Sequence, residues 1–195
     1  NKLVAALDDE KHRSEAVTTL HALAEALETS SNLGLTLKTV HLPALDYPIR
    51  LLLTRAVFSP EFWGRTFAEG LLKSKEQFRG KKIVEVGTGS GWISILLLLF
   101  THVKEVVGLD LNPVAVTMAR LNSWLNGTTR DGTLRLSLAG EPIVQSFRAE
   151  VSDLLTAPLQ RNEYFDHVIG CIPQVLHPNP GIQKLDHSGS SAEKK

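Results

Sequence analysis

The sequence is poor in cysteine and has no long apolar run. Cys171 is the only cysteine among the 195 residues, so a disulfide framework and a zinc site built from cysteine thiolates are both excluded. We predict no metal site, and a reducing, cytoplasmic location is the default expectation. The most apolar run, residues 93–100, is broken by Ser94 and is far shorter than the ~20 residues that a membrane-spanning helix requires. We therefore expect no membrane partner.

An excess of either charge is also lacking, because 21 basic residues are balanced by 21 acidic residues. A nucleic-acid partner would favour a basic stripe, so none is expected, and a small-molecule substrate fits better. Hydrophobic residues make up 43% of the chain and charged residues 22%, which is an ordinary balance for a globular domain. The length allows one domain with a helical extension.

Hydrophobic patterning divides the chain into three regions. Residues 1–46 are predicted to form a helical extension, in which an amphipathic helix ends near Glu28 and a loop follows at 29–45. Residues 47–183 are predicted to form the main domain, and the polar residues 184–195 a disordered tail. Inside the main domain, Ser59-Pro60-Glu61 predicts the start of a helix that ends near Leu72, because Ser caps a helix, Pro suits its first turn and Glu complements its dipole.

Beyond residue 80 the sequence alternates between β-rich runs and helical runs. The predicted order is strand 82–86, helix 91–100, strand 105–110, helix 112–126, exposed insert 128–140, strand 143–149 and strand 164–171. Strands and helices that alternate over short links are typical of a parallel sheet covered on both faces. We therefore predict an α/β fold with about four parallel strands.

A glycine-rich turn joins the first of these strands to its helix. Residues 84–92 read Val-Glu-Val-Gly-Thr-Gly-Ser-Gly-Trp. The glycines allow a tight turn and the close approach of a ligand, and the helix start offers free N–H groups to an anionic group. The dinucleotide fingerprint G-x-G-x-x-G requires glycine where this chain has Trp92, and no Gly-Lys-Ser/Thr follows for a P-loop. Nicotinamide and flavin dinucleotides are therefore disfavoured.

An acidic residue, Asp110, ends the second strand of this region. A carboxylate at that place can accept hydrogen bonds from both hydroxyls of a ribose. Taken alone, an acidic residue at a strand end caps the following helix about as often as it binds a ribose. Together with the glycine-rich turn, however, Asp110 predicts a nucleoside site.

Two runs resemble the motifs of class I S-adenosylmethionine-dependent methyltransferases. Residues 85–91 resemble motif I of that family, and residues 108–113 resemble the motif that follows it. The resemblance implies a Rossmann-like sheet, S-adenosyl-L-methionine as cofactor, a glycine turn that holds its methionine moiety, and ribose on Asp110. It also implies that Asp153 accepts the adenine amino group, although an ordinary surface turn is the alternative there. The implied cofactor-binding residues are Glu85, Gly87, Thr88, Gly89, Gly91, Trp92, Asp110, Leu111, Asn112, Asp153, Leu154 and Cys171.

Three separated segments resemble the methionine S-methyltransferases, an enzyme family known from plants. They lie at residues 60–71, 91–95 and 170–180, and the last reads Gly-Cys-Ile-Pro-Gln-Val-Leu-His-Pro-Asn-Pro. The resemblance implies that the acceptor is methionine, and it places Ile172, Pro173 and Gln174 beside it as the candidate catalytic residues. Many amino-methylating relatives carry Asn-Pro-Pro-Tyr there, whereas residues 172–175 of this chain read Ile-Pro-Gln-Val. This difference counts against a planar nitrogen acceptor. A thioether has no proton to lose, so positioning suffices and no general base is expected.

Other interpretations stay open at this point. A complete class I sheet has seven strands and this sequence supplies about four, so we expect a fragment or a natural truncation. The chain could then be an inactive cofactor-binding or interaction module. A third interpretation is a methyltransferase that acts on a nitrogen of a protein or small molecule. The sequence also leaves the oligomeric state open, a homo-oligomer included.

Overall fold

The computed structural model describes residues 2–29, 34–43, 47–60 and 62–171, apart from the side chains of Thr29, Phe62 and Trp63. The strands in these ranges are β1 (Leu35–Val40), β2 (Ile49–Thr54), β3 (Lys82–Val86), β4 (Glu105–Asp110), β5 (Phe147–Val151) and β6 (His167–Ile169). The helices are α1 (Lys2–Asp8), α2 (Arg13–Thr29), α3 (Phe62–Lys73), α4 (Trp92–Phe100), α5 (Pro113–Gly127), α6 (Ile143–Ser146) and α7 (Thr156–Gln160), with a 3-10 turn at Lys75–Phe78. None of these described helices combines the length and the apolarity needed to cross a bilayer.

Four strands form one parallel sheet in the order β5-β4-β3-β6. The chain runs outward from β3 through β4 to β5 and then crosses back to pair β6 with the free side of β3. This order matches the first half of a doubly wound Rossmann sheet together with the first strand beyond the point where the order reverses, and ligands bind at that point. The α/β, Rossmann-like fold with four parallel strands is therefore confirmed, and the reversal lies between β3 and β6.

The sheet has two faces because successive side chains of a strand point to opposite sides. One face, which we call the helix face, carries Ile83, Glu85 and Val106, and α4 covers it. Helix α4 is buried on nearly all sides, because the sheet lies on one side of it and residues of β2 and α3 on the other. A helix that is apolar all round is stable only in such a place.

The opposite face, which we call the ionic face, carries apolar residues of β3 and β4 between charged neighbours. Val84, Val107 and Leu109 pack there with Leu155 and Phe165. By the same alternation of side chains, the charged residues on this face are Lys82 of β3, Glu105 of β4, and Arg148 and Glu150 of β5.

The N-terminal residues form a hairpin and two helices. The apolar stripe predicted for α2 is confirmed, since Val17, Leu20, Ala24 and Leu27 are buried in a core shared with α1, α5 and β2. The predicted loop at 29–45 was wrong at residues 35–40, because these residues form β1 in antiparallel pairing with β2. Its alternation of leucine with polar residues suits a half-buried strand, but the partner strand that stabilises it follows only later in the chain. The division of the chain at residue 46 stays a prediction.

Two predicted strands have other bounds in the structure: the strand predicted at 143–149 lies at 147–151 as β5, and the strand predicted at 164–171 is shorter. Residues 143–146 form α6 rather than the start of a strand, because the carbonyl of Pro142 accepts hydrogen bonds from the amides of Gln145 and Ser146 and closes a helical turn. The fourth strand covers residues 167–169 rather than 164–171, and Tyr164 lies exposed before it. The predicted strands 82–86 and 105–110 are confirmed as β3 and β4.

Candidate functional site

The glycine-rich turn and Asp110 lie together at the carboxyl ends of β3 and β4. The backbone amides of Gly87 and Thr88 donate to the carbonyl of Leu109 at 2.8 and 2.9 Å. The amide of Gly89 donates to Oδ2 of Asp110 at 2.8 Å. The turn and the strand-end acid therefore share one cleft, as the nucleoside prediction requires, and this cleft borders the reversal in strand order.

The spacing of the glycines follows from the backbone of the turn. Gly87, Gly89 and Gly91 have φ angles of 71°, 55° and 78°. These angles lie in the left-handed region, which residues other than glycine rarely adopt. At Gly91, which precedes α4, a Cβ atom would also stand 2.9 Å from the Cβ of Ala119 in α5. These alternating left-handed residues explain why the motif reads G-x-G-x-G.

Glu85 braces the turn from the helix face. Its Oε2 accepts hydrogen bonds from Thr88 Oγ1 at 2.8 Å and from the amide and hydroxyl of Ser94 at 3.2 and 2.5 Å. Burial raises the pKa of Glu85 to about 7, while the hydrogen bonds from Ser94 and Thr88 oppose that rise and the charge of Asp110 adds to it. Glu85 thus lies beneath the turn, where its carboxylate bonds to Thr88 and Ser94 of the same chain.

The glycine of the second motif makes room for this bracing. A Cβ atom at Gly108 would stand 2.7 Å from Oγ1 of Thr88. A side chain at Gly108 would therefore displace the hydroxyl that Thr88 donates to Glu85. The glycine loop and the Gly-Leu-Asp run are in this way parts of one packed unit.

Trp92, the first residue of α4, is part of the core that α4 shares with Ala68 and Leu71 of α3. Its side chain is buried, and the indole would be 3.1 Å from a Cβ atom at Gly64 in α3. The absence of a side chain at Gly64 thus leaves room for the indole between α4 and α3, which explains how so large a residue fits directly after the last glycine of the turn.

Two exposed leucines follow the carboxyl ends of the neighbouring strands β4 and β5. Leu111 follows β4 and is 69% exposed, and Leu154 follows β5 and is 61% exposed. Leu154 has a left-handed φ of 48°, and Ser152 holds this turn by donating its hydroxyl to the Leu154 carbonyl. Asp153, between them in this turn, is exposed. Exposed apolar side chains at a strand end leave an apolar surface to which a flat ring can bind.

Asn112 connects Asp110 to the segment after β2. Its backbone amide donates to Oδ1 of Asp110 at 2.9 Å, and its side-chain oxygen caps α5 by accepting from the amide of Val114 at 2.9 Å. Its side-chain nitrogen donates to the carbonyl of Ala56 at 2.8 Å. The predicted cap of α5 is therefore confirmed, and the same residue also anchors the loop that follows β2.

Cys171 is half-buried just after β6. Burial raises the pKa of its thiol, and the nearby charge of Glu85 raises it further. A thiol in such surroundings stays protonated at neutral pH and is a poor nucleophile. The candidate acceptor residues Ile172, Pro173 and Gln174 lie outside the described residues, as does the predicted tail 184–195. Within the described ranges, no group of three His, Cys, Asp or Glu residues could hold a metal ion.

The sequence-based prediction missed Asn122, which is fully buried in the middle of α5. Its Nδ2 donates to the carbonyl of Ser90 in the glycine turn at 2.9 Å and to the carbonyl of Leu52 at 3.0 Å. Its Oδ1 accepts from the amide of Leu52 at 2.7 Å. Asparagine favours caps and turns over helix interiors. Its presence in the middle of α5 is therefore a weak signal that its side chain bonds to a distant backbone group.

Comparison with known proteins finds methyltransferases. Residues 69–161 match the family model described as ribosomal protein L11 methyltransferase (PrmA). The methionine S-methyltransferase of Zea mays is 39% identical over 140 residues, which are 71% of this chain and 13% of that protein. That of Arabidopsis thaliana is 33% identical over 147 residues, 74% of this chain and 14% of that protein. The chain thus spans a small part of the length of these relatives.

Comparison with solved structures finds partial alignments. The ribosomal protein L11 methylase of Lactobacillus delbrueckii subsp. bulgaricus aligns with a TM-score of 0.46 at 19% identity, over 67% of this chain and 56% of that one.

Proposed function

From its similarity to methyltransferases, we propose that the chain is a class I S-adenosylmethionine-dependent methyltransferase and that it binds S-adenosylmethionine in the cleft between the glycine turn and Asp110. We propose further that it transfers the methyl group to the thioether sulfur of methionine. The observation that carries this proposal is the hydrogen bond from the amide of Gly89 to the carboxylate of Asp110, since it brings the turn and the sugar-binding acid into one cleft.

The residues present fit the cofactor. The two oxygens of Asp110 each accept one backbone amide, and a carboxylate has further lone pairs with which it can accept the ribose hydroxyls. Leu111 and Leu154 offer exposed apolar side chains to the adenine ring, and exposed Asp153 is the proposed acceptor for the adenine amino group. The glycine turn is proposed to hold the methionine moiety.

The chemistry requires little from the protein beyond placement. S-adenosylmethionine supplies a methyl group on a sulfonium, already activated for displacement. A thioether acceptor loses no proton, so no general base is needed, in agreement with a Glu85 carboxyl that is bound within the turn and a Cys171 thiol that stays protonated. The work of the chain is to orient the two sulfur atoms and to exclude water, which can lower a barrier by ~7–11 kcal/mol. We assign the acceptor side to Ile172, Pro173 and Gln174.

The choice of methionine rests on sequence similarity to relatives that bear the name methionine S-methyltransferase. A small neutral acceptor also agrees with the balanced charge of the chain. We place the protein in the cytoplasm, without a nucleic-acid partner. A second candidate function is the methylation of a protein nitrogen, and the match of residues 69–161 to the ribosomal protein L11 methyltransferase model favours it.

One experiment separates the candidates. The protein is incubated with S-adenosylmethionine labelled in its methyl group, once with free methionine and once with ribosomal protein L11, and the products are identified by mass spectrometry. We expect labelled S-methylmethionine together with S-adenosylhomocysteine. Label in L11 alone would favour the second candidate. Cofactor binding without any turnover would identify an inactive binding module, and the absence of binding would contradict the proposal.

A further inference from the structure

The second edge of β2 is paired by side chains of α5 instead of by a strand. Asn122 bonds to both backbone groups of Leu52, and Asn126 accepts from the Arg50 amide at 3.0 Å and donates to the Arg50 carbonyl at 2.7 Å. Four residues along a helix span about 6 Å, and two residues along a strand span about 6.6 Å. Because these distances match, the two amides imitate a neighbouring strand.

The two asparagines differ in where their remaining amide hydrogen goes. Nδ2 of Asn126 donates to the carbonyl of Asn122 at 2.8 Å, within its own helix. Nδ2 of Asn122 donates to the carbonyl of Ser90 at 2.9 Å. Asn122 therefore connects the hairpin β1–β2 to the glycine turn, whereas Asn126 connects the hairpin only to α5.

The bond to Ser90 acts where the turn is intrinsically freest. Ser90 lies between Gly89 and Gly91, which both have a left-handed backbone, and glycine loses more conformational freedom on ordering than any other residue. The first half of the turn is held by bonds to Leu109 and by the Thr88 hydroxyl. The Asn122 amide anchors the second half at the buried Ser90 carbonyl, and the amide of the same peptide, that of Gly91, donates to the Thr88 carbonyl at 2.8 Å. Asn122 therefore provides the bond that ties this peptide to an element outside the turn.

We propose that Asn122 is a positioning residue for the cofactor turn and that the hairpin β1–β2 supports the cofactor site through it. The inference rests on the proposed function, because it takes S-adenosylmethionine as the ligand of the turn. Asn122 acts through Ser90 and touches no reacting atom. A turn that is ordered before binding loses less entropy when the ligand arrives, so the loss of this anchor weakens binding.

The chain offers a matched pair of variants. Asn122→Ala and Asn126→Ala each remove two bonds to the backbone of β2, but only Asn122→Ala removes the bond to Ser90. We expect similar losses of melting temperature. By calorimetry on the folded proteins, we expect the Kd for S-adenosylmethionine to rise about tenfold in Asn122→Ala and to stay within about twofold of the wild type in Asn126→Ala. Equal changes of Kd in the two variants would overturn the proposal.

A second readout does not depend on the cofactor. Hydrogen exchange of the ligand-free proteins should be faster at residues 87–91 in Asn122→Ala and unchanged there in Asn126→Ala. If the wild type does not bind S-adenosylmethionine, the proposed function fails while this measurement still tests the anchor. Equal exchange at 87–91 in both variants would refute the anchor. Should Asn122→Ala not fold, Asn122→Asp keeps the oxygen that accepts from Leu52 but lacks the donor to both Leu52 and Ser90. Asn126→Asp makes the corresponding change at Arg50 and is its matched control in the same two measurements.

Discussion

The two faces of the parallel sheet hold their carboxylates in opposite ways. On the helix face, Glu85 is buried among apolar residues and bonds to uncharged donors, and its pKa is raised to about 7. Beside the ionic face, Glu163 bonds to three cations. Partial burial alone would raise its pKa, but the hydrogen bonds from Lys82, Arg161 and Arg148 outweigh burial and lower it to about 2.

The ionic face is stabilised by a network of charges. Lys82 contacts Glu163 at 2.8 Å and Glu105 at 3.2 Å, Arg161 contacts Glu150 at 2.5 Å and Glu163 at 2.9 Å, and Arg148 also bonds to Glu163. Networks of this kind stabilise a fold more than isolated surface pairs do. On the helix face the polar groups instead brace the turn of the proposed site. We therefore expect variants on the helix face to change ligand binding and variants on the ionic face to change stability alone.

The largest expected effect is at Asp110, which ends β4 on the helix face. We expect Asp110→Ala to weaken binding of S-adenosylmethionine at least ~100-fold, because hydrogen bonds to a charged group contribute about 1.5–3 kcal/mol each and the ribose offers two hydroxyls. Calorimetry measures the effect, and circular dichroism checks the fold. The control is Asp166→Ala, since Asp166 also accepts a strand amide, that of Lys82 at 2.8 Å, but at the other end of β3. Equal losses in both variants would refute the ribose assignment.

The next effect is the pH dependence of stability at Glu85. Its pKa is about 7 in the folded protein against an ordinary value of 4.5, so the folded state holds a proton that the unfolded state releases. Stability therefore falls as the pH rises from about 4.5 to about 7, by about 3 kcal/mol. Glu85→Gln removes this term, so the free energy of unfolding of the variant should rise relative to the wild type over that window. Urea unfolding at pH 5 and pH 8 measures it, and a constant difference would contradict the burial argument.

Glu163 should show the opposite sign. Its pKa is lowered from 4.5 to about 2, so its contribution is present above about pH 4.5 and is lost as the pH falls toward 2. We expect Glu163→Gln to lower the free energy of unfolding by about 1 kcal/mol at pH 7, a modest figure because the ion pairs are partly exposed, and by less at pH 3. Affinity for S-adenosylmethionine should not change. A change in that affinity would show that the two faces are coupled.

The smallest expected effect is on the reactivity of the Cys171 thiol, which should respond to a substitution of Glu85 but not of Glu163. Because the charge of Glu85 raises the pKa of Cys171, Glu85→Gln should increase the rate of alkylation by iodoacetamide at pH 8 by about twofold, as a larger fraction of thiolate forms. Glu163→Gln should leave the rate unchanged. Mass spectrometry of timed samples measures both rates, and an equal response would mean that the thiol does not sense the helix face.

Local patterns predicted much of the sheet and of the site. The bounds of β3 and β4 and the cap of α5 agree with the prediction, since each depends on a few adjacent residues. β1 was missed because its stability comes from β2. Asn122 was missed because its partners Leu52 and Ser90 are 70 and 32 positions away in the chain. No local pattern distinguishes an asparagine that pairs with a distant backbone from one that faces water.

The amino-acid sequence by itself determined the glycine turn and the acid that follows it, because left-handed backbone angles at Gly87, Gly89 and Gly91 and a carboxylate at a strand end are requirements of single positions. Only the tertiary structure decided which polar groups hold that turn. Glu85 and Asn122 become anchors because folding buries them beside hydroxyls, amides and carbonyls, and burial rather than residue type sets their hydrogen bonds and the pKa of the glutamate.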